Sequence, residues 1–336
     1  MTIAPATAEK LERLERLFAG SLLGAFCGDA LGAPVEGRSR EEIRARLGEV
    51  REMIDARAGR GAYTDDTQMT IGVAESLLRR RGFDGEDLAR TFAANCQEER
   101  GYGTGAKAAI EMIRRGVPWD QVGPRVFVGG SHGNGAAMRV APVGLLYHED
   151  PERCGLVARD TARVTHSHEL GMEGASVQAH AVAMAARLAG RSFSPVGLLK
   201  AVGDHVRMHG GPFRGKLTIA ERLLETGATP ERVIAELGNG VAAVESVPTA
   251  IYAFARHPHS FEEAVVFAVN LGGDADTLGA MTGAIAGAYH GIGALPERWL
   301  GALENGAKGR DYVRSLARRL AAFACGLPEG EPEAMH

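Results

Sequence analysis

Apolar side chains recur at helical spacing along almost the whole of this 336-residue chain, and that periodicity restricts the fold more than any other feature. Leu11, Leu14, Leu17 and Phe26 form one series, Met69, Val73 and Leu77 a second, and Val177, Met184 and Leu188 a third. Strand-like alternation is scarce. Aromatic residues make up only 6% of the chain, β-branched runs are short, and Ala, Leu, Arg and Glu dominate, a composition that suits helices rather than sheets. The pattern predicts an all-α protein of about a dozen helices. With 45% hydrophobic residues the chain can bury a large core. No Pro/Ser linker, charge block or fixed-period repeat divides it, so a single compact domain over residues 8–326 is expected, with loose tails at 1–7 and 327–336.

A formal net charge of −4 offers no basic face for sequence-blind nucleic-acid binding, so nucleic acid is not expected as a main partner and any phosphate recognition has to be local. Cys27, Cys96, Cys154 and Cys325 are far apart and form no CxxC, and the first residues lack the continuous apolar stretch of a signal peptide; a cytoplasmic location is expected. The stretch from Thr277 to Gly293 is apolar but interrupted by His290 and rich in Gly and Ala, which suits a buried core helix rather than a membrane span.

Two clusters carry the chemistry. In YTDDTQMT (63–70), Thr64, Asp65 and Asp66 crowd the start of the helix that bears Ile71, Val73 and Leu77. Capping accounts for one such oxygen, because a free amide in the first turn needs an acceptor and the helix dipole favours negative charge there. Two adjacent carboxylates between two hydroxyls exceed that need and supply hard oxygens of the kind Mg²⁺ takes. In Gly-Gly-Asp-Ala-Asp-Thr (272–277), Asp274, Asp276 and Thr277 repeat the chemistry at another helix start, behind two glycines that let backbone approach closely. If the clusters face each other, they can hold two hard cations that orient hydroxyls or phosphate and activate water.

Three further segments are less decisive. In GDALGAPVEG (28–37) a helix studded with small residues ends near Pro34; Gly24, Gly28 and Gly32 read as close-packing positions. Asp29, inside that apolar helix, needs a partner and is either an acceptor that supports a site or a member of it, while Glu36 on the following loop is solvated by default. The glycine-rich loop Gly130, Ser131, His132, Gly133, Asn134 and Gly135 can offer several amides to an anion, but no Lys-Ser/Thr follows it and such loops are also plain turns. His166 and His168 form a tight His-x-His that is weak for zinc; His166 can equally stack on a base or ribose.

Taken together, the segments GDALGAPVEG, YTDDTQMT, RGYGTGAK, GGSHGNGAAMRVAP, THSHELG and NLGGDADTLGAMTGAIAGAYHGIGALPERW resemble the ADP-ribosylglycohydrolase family, from about Gly24 to Trp299. The resemblance implies an orthogonal multi-helix bundle with two Mg²⁺, or Mn²⁺ in some members, at a cleft. It implies that Thr64, Asp65 and Asp66 hold one metal and Asp274, Asp276 and Thr277 the other, with Asp276 bridging. It moves Glu36 beside the scissile bond as the catalytic group, with Asp65 or Asp66 as the fallback base. It lays the loop from Gly130 to Gly135 along the diphosphate and distal ribose, and His166 beside the ligand. Arg100-Gly101-Tyr102-Gly103 and the run from Gly133 to Arg139 look closer to the branch that cleaves O-linked ADP-ribose (serine adducts, O-acetyl-ADP-ribose, poly(ADP-ribose)) than to the arginine-directed branch, whereas His132 departs from the Tyr of some relatives. The expected partner is an ADP-ribosylated protein or a small ADP-ribose adduct, with no membrane, and the chain is expected to act as a monomer. The competing readings are an N-linked arginine-directed hydrolase, a non-catalytic ADP-ribose-binding or crystallin-like protein, and a diphosphate-cleaving helical enzyme.

Overall fold

In a computed structural model, which describes residues 4–206 and 211–327, seventeen α-helices are found among the described residues, and no strand. They are α1 (Pro5–Gly32), α2 (Arg40–Leu47), α3 (Asp65–Arg80), α4 (Gly85–Asn95), α5 (Thr104–Arg114), α6 (Trp119–Val126), α7 (Ala141–Leu146), α8 (Pro151–Arg163), α9 (Glu169–Leu188), α10 (Pro195–Gly203), α11 (Pro212–Glu225), α12 (Pro230–Leu237), α13 (Ala243–Arg256), α14 (Phe261–Val269), α15 (Ala275–His290), α16 (Glu297–Ala302) and α17 (Arg310–Ala324). The all-α expectation holds. The helix number exceeds it because α2, α6, α7 and α16 span two turns or so, too few for periodicity to separate them from loops. Their starts are marked instead by caps and prolines: Ser39 and Glu42 form a capping box on α2, and Pro118, Pro142 and Pro296 stand at the starts of α6, α7 and α16.

Pro5–Thr7, expected in a loose tail, already belong to α1, since proline's fixed φ suits a first helical position where its missing N–H is not needed. At the other end the amide of Leu327 donates to Ala322 O at 2.9 Å. Residues 1–3 and 328–336 of the expected tails lie outside the described residues.

The spine of the molecule is the pair α1 and α15. Along α1, Gly20, Gly24 and Gly28 sit one per turn against Gly287, Gly283 and Gly279 of α15, so near that a Cβ added at Gly28 would lie 1.9 Å from Gly279 O and one at Gly283 2.0 Å from Gly24 O. The sequence reading of Gly24 and Gly28 as packing positions is right: main chain meets main chain with no side chain between. The next residue of the stripe, Gly32, rests on Asp276, where its Cβ would fall 2.5 Å from the Cα. The small-residue seam therefore brings the end of α1 and the start of α15 to one place. By length and apolarity α1 could cross a membrane, yet 89% of its most apolar window is buried within the fold.

Helices α3, α7 and α9 stand between two apolar clusters and feed both. Ile71, Ala74 and Leu78 of α3 face the larger cluster around α1 and α15, and Met69, Val73 and Leu77 face the smaller one with α4, α5 and α8. This two-sided burial fixes the rotation of α3, and with it the direction in which Asp65 and Asp66 leave its first turn.

Candidate active site

Two helix starts, of α3 and α15, and the loop of Glu36 converge on a cleft of about 300 Å³ lined by Glu36, Asp65, Asp66, Asp274, Asp276 and Thr277 on its acidic side. Thr64 caps α3, its Oγ1 accepting from the Asp66 amide at 3.3 Å and donating to Asp66 Oδ2 at 3.0 Å. The capping reading of Thr64 is thus correct, but it leaves Asp66 Oδ1 buried with no hydrogen-bond donor. Asp29, fully buried in α1, supplies the rest of the cap. It accepts from the amides of Thr64 and Thr67 at 3.0 and 3.1 Å and from Thr67 Oγ1 at 2.5 Å. Of the two roles open to Asp29, the structure gives it that of the supporting acceptor.

The second cluster is presented by a turn that only glycine can make. Gly272 and Gly273 both have φ of 71°, and a Cβ on them would strike Arg38 O at 2.5 Å and Asn239 O at 2.2 Å. Across this turn Gly37 N donates to Gly273 O and Gly273 N to Arg38 O, each at 2.8 Å, so the loop of Glu36 is stitched to the segment of Asp274. As a result carboxylate oxygens of Glu36, Asp274 and Asp276 come within 4.8 Å of one another, an acidic group able to hold a metal ion.

Electrostatics point the same way. Burial, then the charges of Asp29 and other carboxylates, push Asp65 up to about 7; burial and the charges of Asp29, Asp65 and Asp274 raise Asp66 well above the carboxylate range. Asp276 is raised likewise, by burial and then by Asp66, Asp274 and Glu36. Each cluster thus feels the other, and Asp66 Oδ1 has no donor to offset the repulsion. Hard divalent cations fit such a donor set, relieving repulsion that protons would otherwise have to remove. Glu36 is exposed, and its carboxyl is raised by partial burial and by Asp274, with Arg57 opposing.

The opposite wall is the glycine-rich loop, strapped to residues 241–243 by Asn134 N to Val241 O at 2.9 Å and Ala243 N to His132 O at 3.0 Å. Ser131, Gly133, Asn134 and Gly135 line the cleft, as does His166. Gly130 and His132, predicted to join them, do not. Gly130 is packed on Ser167 and His168, and the exposed ring of His132 stands edge-on to His168 at 5.6 Å, turned away by the strap that uses its carbonyl. Asn134 lines the cleft but spends its amide inside the protein: Nδ2 donates to Asp274 Oδ2 at 2.5 Å and to Ser246 Oγ at 3.0 Å, tying the loop to the acidic side. His168 caps α9, its Nδ1 accepting from Leu170 N at 3.1 Å.

Sequence reasoning missed several wall residues, Phe127, Val241 and Arg139 among them. Phe127 and Val241 are 47% and 69% exposed and border the cleft, apolar walls suited to the flat face of a base. The buried Arg139 lines it from below. The Phe127-Val128 pair beside the glycine-rich loop was the available signal for the first; nothing local marks Val241.

Comparison with known proteins agrees with this geometry. The family model for ADP-ribosylglycohydrolase matches residues 10–327. The chain is 35% identical to ADP-ribosylhydrolase ARH3 of Bos taurus over 95% of its own length and 96% of that protein. It is 38% identical to an uncharacterized protein of Archaeoglobus fulgidus over 91% of this chain and 96% of that one. A solved structure described as an ADP-ribosylglycohydrolase-related protein complex superposes with a TM-score of 0.69 at 33% identity, covering 93% of this chain and 99% of the other. With the fold, the cleft and near full-length similarity in agreement, the chain belongs to the ADP-ribosylglycohydrolase family, hydrolases that remove ADP-ribose by cleaving a glycosidic bond.

Proposed function

We propose that this enzyme cleaves the O-glycosidic bond at C1 of the distal ribose, in ADP-ribosyl-serine, O-acetyl-ADP-ribose or poly(ADP-ribose). The observation that carries the reading is the meeting of Glu36, Asp274 and Asp276 within 4.8 Å on the side of a cleft that faces the glycine-rich loop. The O-linked choice is supported by the segment from Arg100 to Gly103, of which Gly101 and Gly103 border the same cleft.

In this reading the diphosphate lies along Ser131, Gly133 and Gly135, with the base between Phe127 and Val241. Thr64, Asp65 and Asp66 would hold one divalent cation and Asp274, Asp276 and Thr277 a second, Mg²⁺ or Mn²⁺. When bound, such ions supply charge that orients the ribose hydroxyls and polarises the attacking water. Glu36 does the proton work: water adds to C1, the C1–O bond breaks, and the proton lost by water and the one gained by the leaving oxygen pass through its carboxyl group. A carboxyl raised by its surroundings suits that exchange. Asp29 keeps the amides of Thr64 and Thr67 fixed, and so fixes Asp65 and Asp66.

Incubation of the magnesium-loaded protein with serine-, acetyl- and arginine-linked ADP-ribose tests this directly. Free ADP-ribose is expected from the first two. Faster turnover of the arginine adduct overturns the linkage, and release of AMP overturns glycosidic cleavage.

A further inference from the structure

The arginine at the base of the cleft feels the charge of Asp65 but is not ion-paired to it. Arg139 is 2% exposed, and among the described residues no carboxylate lies within hydrogen-bond distance of its guanidinium. One terminal nitrogen donates to Thr161 O at 3.3 Å and Thr165 Oγ1 at 2.8 Å, the other approaches Met69 Sδ at 3.5 Å, and Nε has no acceptor. The group lies over the ring of Phe92 at 4.5 Å and borders the cleft. A buried charge left this way is unfavourable unless it serves something nearby.

Its hydrogen bonds have a direction. A guanidinium only donates, so Thr165 Oγ1 must accept from it and send its own hydrogen elsewhere. The acceptor in reach is His166 Nδ1, at 2.7 Å. A ring carrying its proton on Nδ1 would donate to Thr165 instead and strand the hydroxyl hydrogen, at a residue only 3% exposed. The proton therefore belongs on Nε2. That nitrogen faces the glycine-rich loop: a Cβ at Gly135 would lie 3.2 Å from it, one at Gly133 3.7 Å, and no described group pairs with it. Burial, then the charge of Arg139, hold His166 down to about 3, so the ring is neutral.

We propose that Arg139 and Thr165 are positioning residues that hold His166 as a fixed Nε2–H donor to the diphosphate of ADP-ribose. The ligand named here rests on the ADP-ribose reading above. A phosphate oxygen is never a donor, so a nitrogen that cannot turn into an acceptor suits it, whereas a ring free to change tautomer would present a lone pair part of the time. Substrate contact falls to His166; Arg139 and Thr165 act through it.

The test uses the full chain, magnesium-loaded and ¹⁵N-labelled. Ring-nitrogen NMR, with His166 assigned by its loss in His166→Gln, is expected to show Nε2 protonated and Nδ1 bare. Thr165→Val keeps the shape and removes the hydroxyl; it is expected to raise the Nδ1-protonated fraction and to weaken ADP-ribose binding, by calorimetry, about 10-fold. Thr165→Ser is expected to restore both. Nδ1 protonation in the wild type overturns the relay even if Thr165→Val fails to fold, and so does a folded Thr165→Val that changes neither tautomer nor affinity. Wild type with the expected tautomer but no ADP-ribose binding overturns the ADP-ribose reading and the ligand named here; a wrong tautomer in protein that binds ADP-ribose overturns the relay alone.

Discussion

A carboxyl group that passes protons works best when its surroundings raise it toward the working pH, and Glu36 is in that position through partial burial and the neighbouring Asp274. If it carries the proton of the reaction, Glu36→Gln is expected to slow turnover about 10²–10⁴-fold while ADP-ribose affinity, measured on the same preparation, stays within about threefold. A rate close to wild type contradicts the role, and joint loss of affinity and metal makes Glu36 a ligand instead. Asp276 and Asp29 differ in a complementary way. Asp276 feels Asp66, Asp274 and Glu36, whereas Asp29 touches Thr64 and Thr67 but does not line the cleft. Asp276→Ala is therefore expected to cost more activity than Asp29→Ala, for which a loss of about 10–100-fold is expected of a supporting residue. The reverse order in two folded variants excludes Asp276 as the carboxylate shared by both clusters.

At the scale of elements, the contact of α1 with α15 decides whether the acidic clusters meet. Gly28 has no room for a methyl group, with Gly279 O 1.9 Å from the added Cβ, and both neighbours are helix backbone that cannot swing aside. Gly28→Ala is expected to destabilise the fold by about 1–3 kcal/mol, the usual cost of overpacking, and to weaken metal binding because it parts the helices next to Asp29. Gly301→Ala, in α16 with nothing within 4 Å of the added Cβ, serves as the contrast. It is expected to be neutral or to stabilise by about 0.5–1 kcal/mol, as alanine for glycine in a helix does. Denaturant unfolding of the two variants checks both, and equal midpoints would remove the seam from the account.

For the molecule as a whole, the acidic centre links metal, pH and stability. Without cations, Asp29 is raised to about 6 and Asp65 to about 7, mainly by burial, and Asp66 and Asp276 are raised further. Groups whose folded pKa lies above the unfolded value favour the native state when protonated, and that contribution is lost as pH rises through the folded value. The metal-free protein is therefore expected to lose stability between about pH 5 and pH 8, while the loaded protein, its carboxylates matched by cations, loses less. The gap in Tm between magnesium-loaded and EDTA-treated samples is expected to widen with pH across that range, with activity absent after chelation. A gap that is constant or narrows with pH, or full activity in excess EDTA, rules out the cluster as the metal centre.

What the sequence determined by itself was local. Helical periodicity, caps such as Thr64 and the glycine stripe of α1 depend on residues a few positions apart, so they could be read directly, as could the acidic character of both clusters. Only the tertiary structure decided which of these oxygens meet. It joined Glu36 to Asp274 through the turn at Gly272 and Gly273, gave Asp29 to the α3 cap, and turned Asn134 inward onto Asp274. It also set His132 and Gly130 outside the cleft and brought Val241 and Arg139 to its walls. Those pairings span up to about 240 residues of chain, and nothing in a local pattern records them. They follow from the glycine seam, which lets two helix backbones touch, and from the two-sided burial of α3, which aims its first turn at the same point.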